Sequence, residues 1–198
     1  MNPLNSIQGT IIAGVVLAVV IALAVASLTT GIAFKVPSFI MWVHVLAGIT
    51  WIGLLYYFNF VQAPALAAAA KDQGGPGGAG ISKYVAPRAL LWFRWSAVVT
   101  WLSGAAYLGH AKLFVPAFTL QPGALTIGVG AWLGTIMLLN VWGVIWPNQK
   151  KVLGLVEATA DQIAKARRVA LLASRANAVL SVPMLMSMVG FGHQGFFL

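Results

Sequence analysis

Three histidines, His44, His110 and His193, are the only imidazoles in the chain. There is no cysteine, and the acidic residues number three: Asp72, Glu157 and Asp161. This excludes disulfides, thiolate metal sites, a cysteine nucleophile and the C-x-x-C-H attachment of c-type haem. Paired-carboxylate catalysis and hard-cation cages lack their material. What remains is imidazole ligation and recognition of an anion by cations and amides. His44 shares a helix face with Gly48 and Trp51, one and two turns on. A histidine with a glycine one turn away offers an imidazole and a gap where a flat macrocycle can lie. Imidazole ligation of haem iron inside a helical bundle is well-founded chemistry. His44 is therefore the candidate axial ligand, with Gly48 and Trp51 as its pocket. A histidine simply hydrogen-bonded to the next helix accounts for the same residue. For a second ligand the sequence offers His110, His193 or Met188, with Met184 on the Met188 face. Each also has a plainer role: a helix end, a solvent-exposed tail, core packing.

A second set is cationic and amide-rich: Arg94, Arg175, Asn59, Asn140 and Asn177. No carboxylate lies at their level. Two arginines brought together repel, and an anion between them resolves this. The alternative is that each arginine snorkels alone to the interface. Fifteen residues separate His44 from Asn59, about 22 Å along a helix. The two sets are thus expected to form two layers.

The elements that carry these residues follow from composition. Of 198 residues, 60% are hydrophobic and 8% charged, against about 25% charged in a soluble domain. The chain reads as an all-α integral membrane protein, a single domain over 1–198. Five apolar segments, 11–34, 39–62, 89–110, 124–146 and 169–190, predict a five-helix transmembrane bundle. Pro37 and Pro87 mark the starts of the second and third, Pro147 and Asn148 the end of the fourth. Pro183 is expected to kink the fifth and free a carbonyl. Residues 71–83 form a glycine-rich loop. Residues 148–168 have helical spacing and basic charge, which suits an amphipathic segment on the membrane surface. With five spans, eight Lys/Arg fall on one side and two, Lys35 and Lys112, on the other. The positive-inside rule then places the N-terminus in the cytoplasm and the C-terminus outside. The net charge of +9 sets topology and meets lipid head groups; nucleic acid is not the expected partner.

Three stretches carry a resemblance: 44–64 (HVLAGITWIGLLYYFNFVQAP), 140–154 (NVWGVIWPNQKKVLG) and 174–185 (SRANAVLSVPML). They resemble the N-terminal membrane domain of the bacterial cytochrome-c-linked urate oxidases. The His-to-Trp-Gly portion is similar, more distantly, to membrane haem-b proteins of the protoporphyrinogen oxidase type, whose matching histidine ligates haem. The resemblance implies a redox protein of the bacterial inner (cytoplasmic) membrane that binds haem b through His44. It implies electron transfer to a c-type cytochrome, and urate or another small anion as substrate at the arginine layer. The family carries its cytochrome c domain after the membrane domain. A chain without cysteine would need a separate cytochrome. Two other readings fit the residues: a non-catalytic subunit or assembly factor of a larger respiratory complex, and an anion transporter. Gly130-x-x-x-Gly134 permits close helix contact within the chain or in a homo-oligomer.

Overall fold

The computed structural model describes residues 2–29 and 31–193. Its regular structure is helical, with no strand among the described residues. The chain divides into two units, Met1–Val36 and Pro37–Leu198. The first holds α1, Ile7–Leu28, which starts where the Ser6 side chain accepts the Gly9 N–H and buries no residue. It ends ahead of Gly31, whose φ of +80° suits glycine. The expected first span at 11–34 is therefore shifted toward the N-terminus. The second unit holds α2 (Val36–Ala69), α3 (Ala86–His110), a short α4 (Phe114–Phe118), α5 (Pro122–Val152) and α6 (Ala160–Gly192). Four helices, α1, α2, α5 and α6, are long and apolar enough to cross a membrane. α3 has the length, 25 residues, but its polar and arginine content keeps its hydropathy lower.

Side-chain pairs fix the arrangement of the second unit. His44 meets Thr100 and Phe58 meets Phe93, so α2 and α3 run antiparallel. Trp101 with Thr135, and Trp95 with Trp142, make α3 and α5 antiparallel. Asn140 meets Asn177 while a Cβ on Gly130 would touch Ser187 and Met188, so α5 and α6 are antiparallel. Tyr56 with Ser181 and Asn59 with Ser174 close the ring between α2 and α6. Within the second unit the result is an up-and-down bundle of four helices; α1 belongs to the first unit. Gly130 spends its small size on α6 within the chain.

Prolines mould these helices. Wide π turns span Tyr57–Gln62, Ile81–Val85 and Val141–Ile145. The residue after each turn bonds back five positions: Ala63 to Phe58, Ala86 to Ile81, Trp146 to Val141. A proline follows at once in every case, Pro64, Pro87 and Pro147. Proline has no N–H and its ring clashes with the carbonyl four residues back. A wider turn just before it relieves both problems. α5 therefore passes through Pro147 to Val152, and α2 continues to Ala69; both overrun the ends expected at 146 and 62. Pro183 lies inside the continuous α6. The expected surface segment 148–168 is divided. Its start belongs to α5, and its end to α6, which Thr159 opens with a capping box to Gln162.

The core of the second unit is built on Trp51, Leu55, Phe93, Ala97, Met137 and Val141. Between apolar helices in lipid the hydrophobic effect gives little drive to associate, so close packing and polar contacts across helices matter more. Asn177, fully buried, donates to the Met137 carbonyl at 3.0 Å and accepts from Asn140 Nδ2 at 2.7 Å. Asn140 Nδ2 also donates to the Ala173 carbonyl at 2.9 Å. Replacing Asn177 with Leu removes two interhelical bonds and leaves the Met137 carbonyl with only the Val141 N–H. We expect a loss of about 1–3 kcal/mol, read as a lower unfolding temperature of the purified protein in mild detergent. A variant as stable as the wild type would show that this contact does not hold α5 to α6.

Candidate functional site

A cavity of about 740 Å³ lies among the four bundle helices at the His44 end. That is within the ~300–1,000 Å³ of small-molecule and cofactor sites. Its wall is mostly apolar, with His44, Trp51, Tyr56, Thr100, Met184, Met188 and His193 among its few functional groups.

His44 is held by its neighbour helix. Nδ1 lies 2.8 Å from the Thr100 carbonyl oxygen. A carbonyl only accepts, so Nδ1 carries the proton and Nε2 keeps its lone pair. A backbone oxygen on one imidazole nitrogen, leaving the other free to ligate, is the usual second shell of a metal-binding histidine. The ring lies against α3 at Gly104, where an added Cβ would stand 2.9 Å from Cε1 and 3.1 Å from Nδ1. Gly104 is thus the glycine that makes room for the imidazole. Gly48, expected in that role, lines the cavity, but a Cβ there would make an ordinary 3.7 Å contact with Thr100. Thr100 and Gly104 were not singled out in the sequence. Their only signal is position: an antiparallel partner brings them opposite His44, and that register is not written locally.

Trp51, 2% exposed, lines the cavity, and its indole N–H has no acceptor among the described residues. His193 also lines the cavity. Its Nδ1 lies 2.9 Å from the Val189 carbonyl, so this ring too keeps a lone pair on Nε2. Met184 is buried in the wall. Met188 lines it as well, but its Sδ and Cε pack against Gly130, about 3.4 and 3.2 Å from a Cβ built there. His110 is exposed at the end of α3 and does not reach the cavity.

The arginine and amide set lies elsewhere, and none of its five members lines this cavity. The amide donors are spent on the bundle. Asn59 Nδ2 donates to the Leu55 carbonyl and to Ser174 Oγ, both at 2.8 Å. Asn140 and Asn177 bond to each other and to backbone carbonyls. In this structure the amides tie helices together, and an anion there would have to displace these bonds. Arg94 lies over the Trp146 ring, 3.9 Å from its centroid. Arg175 is exposed. Near the π turns, the buried Asn59 Oδ1, Gln62 Oε1 and Trp142 Nε1 have no partner among the described residues.

No curated protein matches the chain, and no solved structure does. The profile of the urate oxidase N-terminal family matches it twice, over residues 32–120 and 111–197. Those two stretches take in the whole four-helix unit that holds His44 and its cavity, and leave out α1. The chain belongs to the urate oxidase N-terminal family.

Proposed function

We propose that the chain is a redox protein of the bacterial inner (cytoplasmic) membrane that holds haem b on His44 and hands electrons to a separate c-type cytochrome. In this reading α3 is the fifth span, the N-terminus is cytoplasmic and the C-terminus external. One observation carries it: an imidazole fixed by a backbone carbonyl, with its free nitrogen's lone pair unspent, in the wall of a cofactor-sized cavity. Family membership supports oxidative chemistry. Bound there, haem b would supply a one-electron centre.

The chain's own residues would do the rest. The Thr100 carbonyl orients His44 and fixes its tautomer. His193 is the better second ligand, because its Nε2 is free while the Met188 sulfur is packed against Gly130. The apolar wall excludes water. Arg94 supports a small anionic substrate such as urate: its guanidinium rests on Trp146, and no hydrogen bond or ion pair from it is formed among the described residues.

The test is a dithionite-reduced minus air-oxidised visible spectrum of the purified protein beside His44→Ala. We expect a b-type difference spectrum in the wild type and none in the variant. A colourless wild type from cells supplied with haem would overturn the reading. Gly104→Ala probes the same site from α3. Its methyl group would press on the imidazole, and haem affinity should fall by about 10–100-fold, the usual cost of disturbing a second shell. Unchanged affinity would mean that His44 does not need its seat on α3.

A further inference from the structure

The cavity wall is uneven. On α3 and α5 no lining residue is exposed, and Thr100, Ile127 and Ala131 are each at most 8% exposed. On α2 and α6 Trp51, Ile52 and Met184 are buried, but other lining residues are exposed. Val45 and Ile49 on α2 are 48% and 66% exposed, Leu185 and Val189 on α6 38% and 51%. All four also line the cavity. Residues that face both the cavity and the outside on two facing helices point to an opening, a mouth between α2 and α6.

The rest of the α2–α6 seam explains why. The two helices are tied by Tyr56 to Ser181 at 2.9 Å and by Asn59 to Ser174 at 2.8 Å. From Tyr56 toward His44, no hydrogen bond or ring contact among the described residues joins them. They are pinned at one end and part toward the other. Both are apolar enough to span a membrane, and the four residues at the mouth are aliphatic. A polar ligand arriving from water would meet nothing there to replace its hydration.

We infer that the cavity is filled sideways, through the α2–α6 mouth, by a flat, largely apolar molecule dissolved in the bilayer. The identity of that molecule as haem b rests on the function proposed above; the mouth itself requires only a planar, largely apolar body. Gly53 stands at the mouth, exposed and lining the cavity, and a Cβ there meets nothing within 4 Å. A large side chain at 53 therefore has room and would narrow the opening without crowding the bundle.

The absence of cysteine makes single labels straightforward. Ile49→Cys and Leu185→Cys, each carrying a nitroxide in lipid vesicles, should collide with oxygen, which concentrates in hydrocarbon, and not with a water-soluble nickel chelate. Labels that collide with the chelate would place the mouth in water and overturn lateral filling. In the same vesicles preloaded with haemin, Gly53→Phe should slow haem uptake on the order of tenfold and leave the final spectrum unchanged. Ile136→Phe, on the exposed face of α5 and outside the cavity, should take up haem at the wild-type rate. Uptake by Gly53→Phe as fast as by the wild type would refute the α2–α6 route. If the labels report hydrocarbon and the wild type takes up no haem, the mouth stands and haem is the wrong ligand.

Discussion

A helix in hydrocarbon must satisfy every polar group it buries from within the protein, and most of this structure answers to that demand. The prolines at 64, 87 and 147 would each cost a helix its continuity, and a π turn ahead of each restores it. The hydroxyls of Ser96, Thr100 and Ser103 fold back onto carbonyls of their own helix. The buried asparagines turn their amides into crosslinks. Where the rule is broken, at Trp51, Asn59, Gln62 and Trp142, the exceptions lie along the cavity wall or beside the π turns.

His44 belongs to the same economy. A lone imidazole in a bundle needs a partner for its N–H, and the Thr100 carbonyl supplies one without adding a charge. The opposite nitrogen is left with nothing from the protein to accept. The cavity sits on that side of the problem: a chain so frugal with polar groups keeps an unspent lone pair and an unspent indole N–H on one wall. The helices are arranged to match. α3 and α5 close the cavity behind, the hydrogen bonds between α2 and α6 among the described residues lie at their far end, and the space between is large and apolar enough for a planar ligand.

Much of this was legible in the sequence. Composition pointed to helices apolar enough to span a membrane, which the structure has, and His44 stood out because so few groups here can do chemistry. The arginine and amide layer was legible as residues, but not in its hydrogen bonding. Asn140 and Asn177 do come together, but to bind each other, and a list of donors does not say which are already engaged. The helix ends were hidden for a different reason. Pro147 reads as a stop by its local chemistry, and only a π turn, which has no sequence signature of its own, lets α5 run through it. Gly104 was invisible because its importance lies in what α2 presents to it, a register set by the whole hairpin.

The partner of His44 is a backbone atom, and this has a consequence for how the site can vary. Every residue has a carbonyl, so no substitution at position 100 deletes the acceptor. Threonine could drift to other residues there with the imidazole still anchored, provided α3 keeps its path. A survey of tolerated substitutions would mark His44 and Gly104 and pass over position 100. The contact that sets the histidine's tautomer is, in that sense, one that selection protects through the shape of a helix rather than through the identity of a side chain.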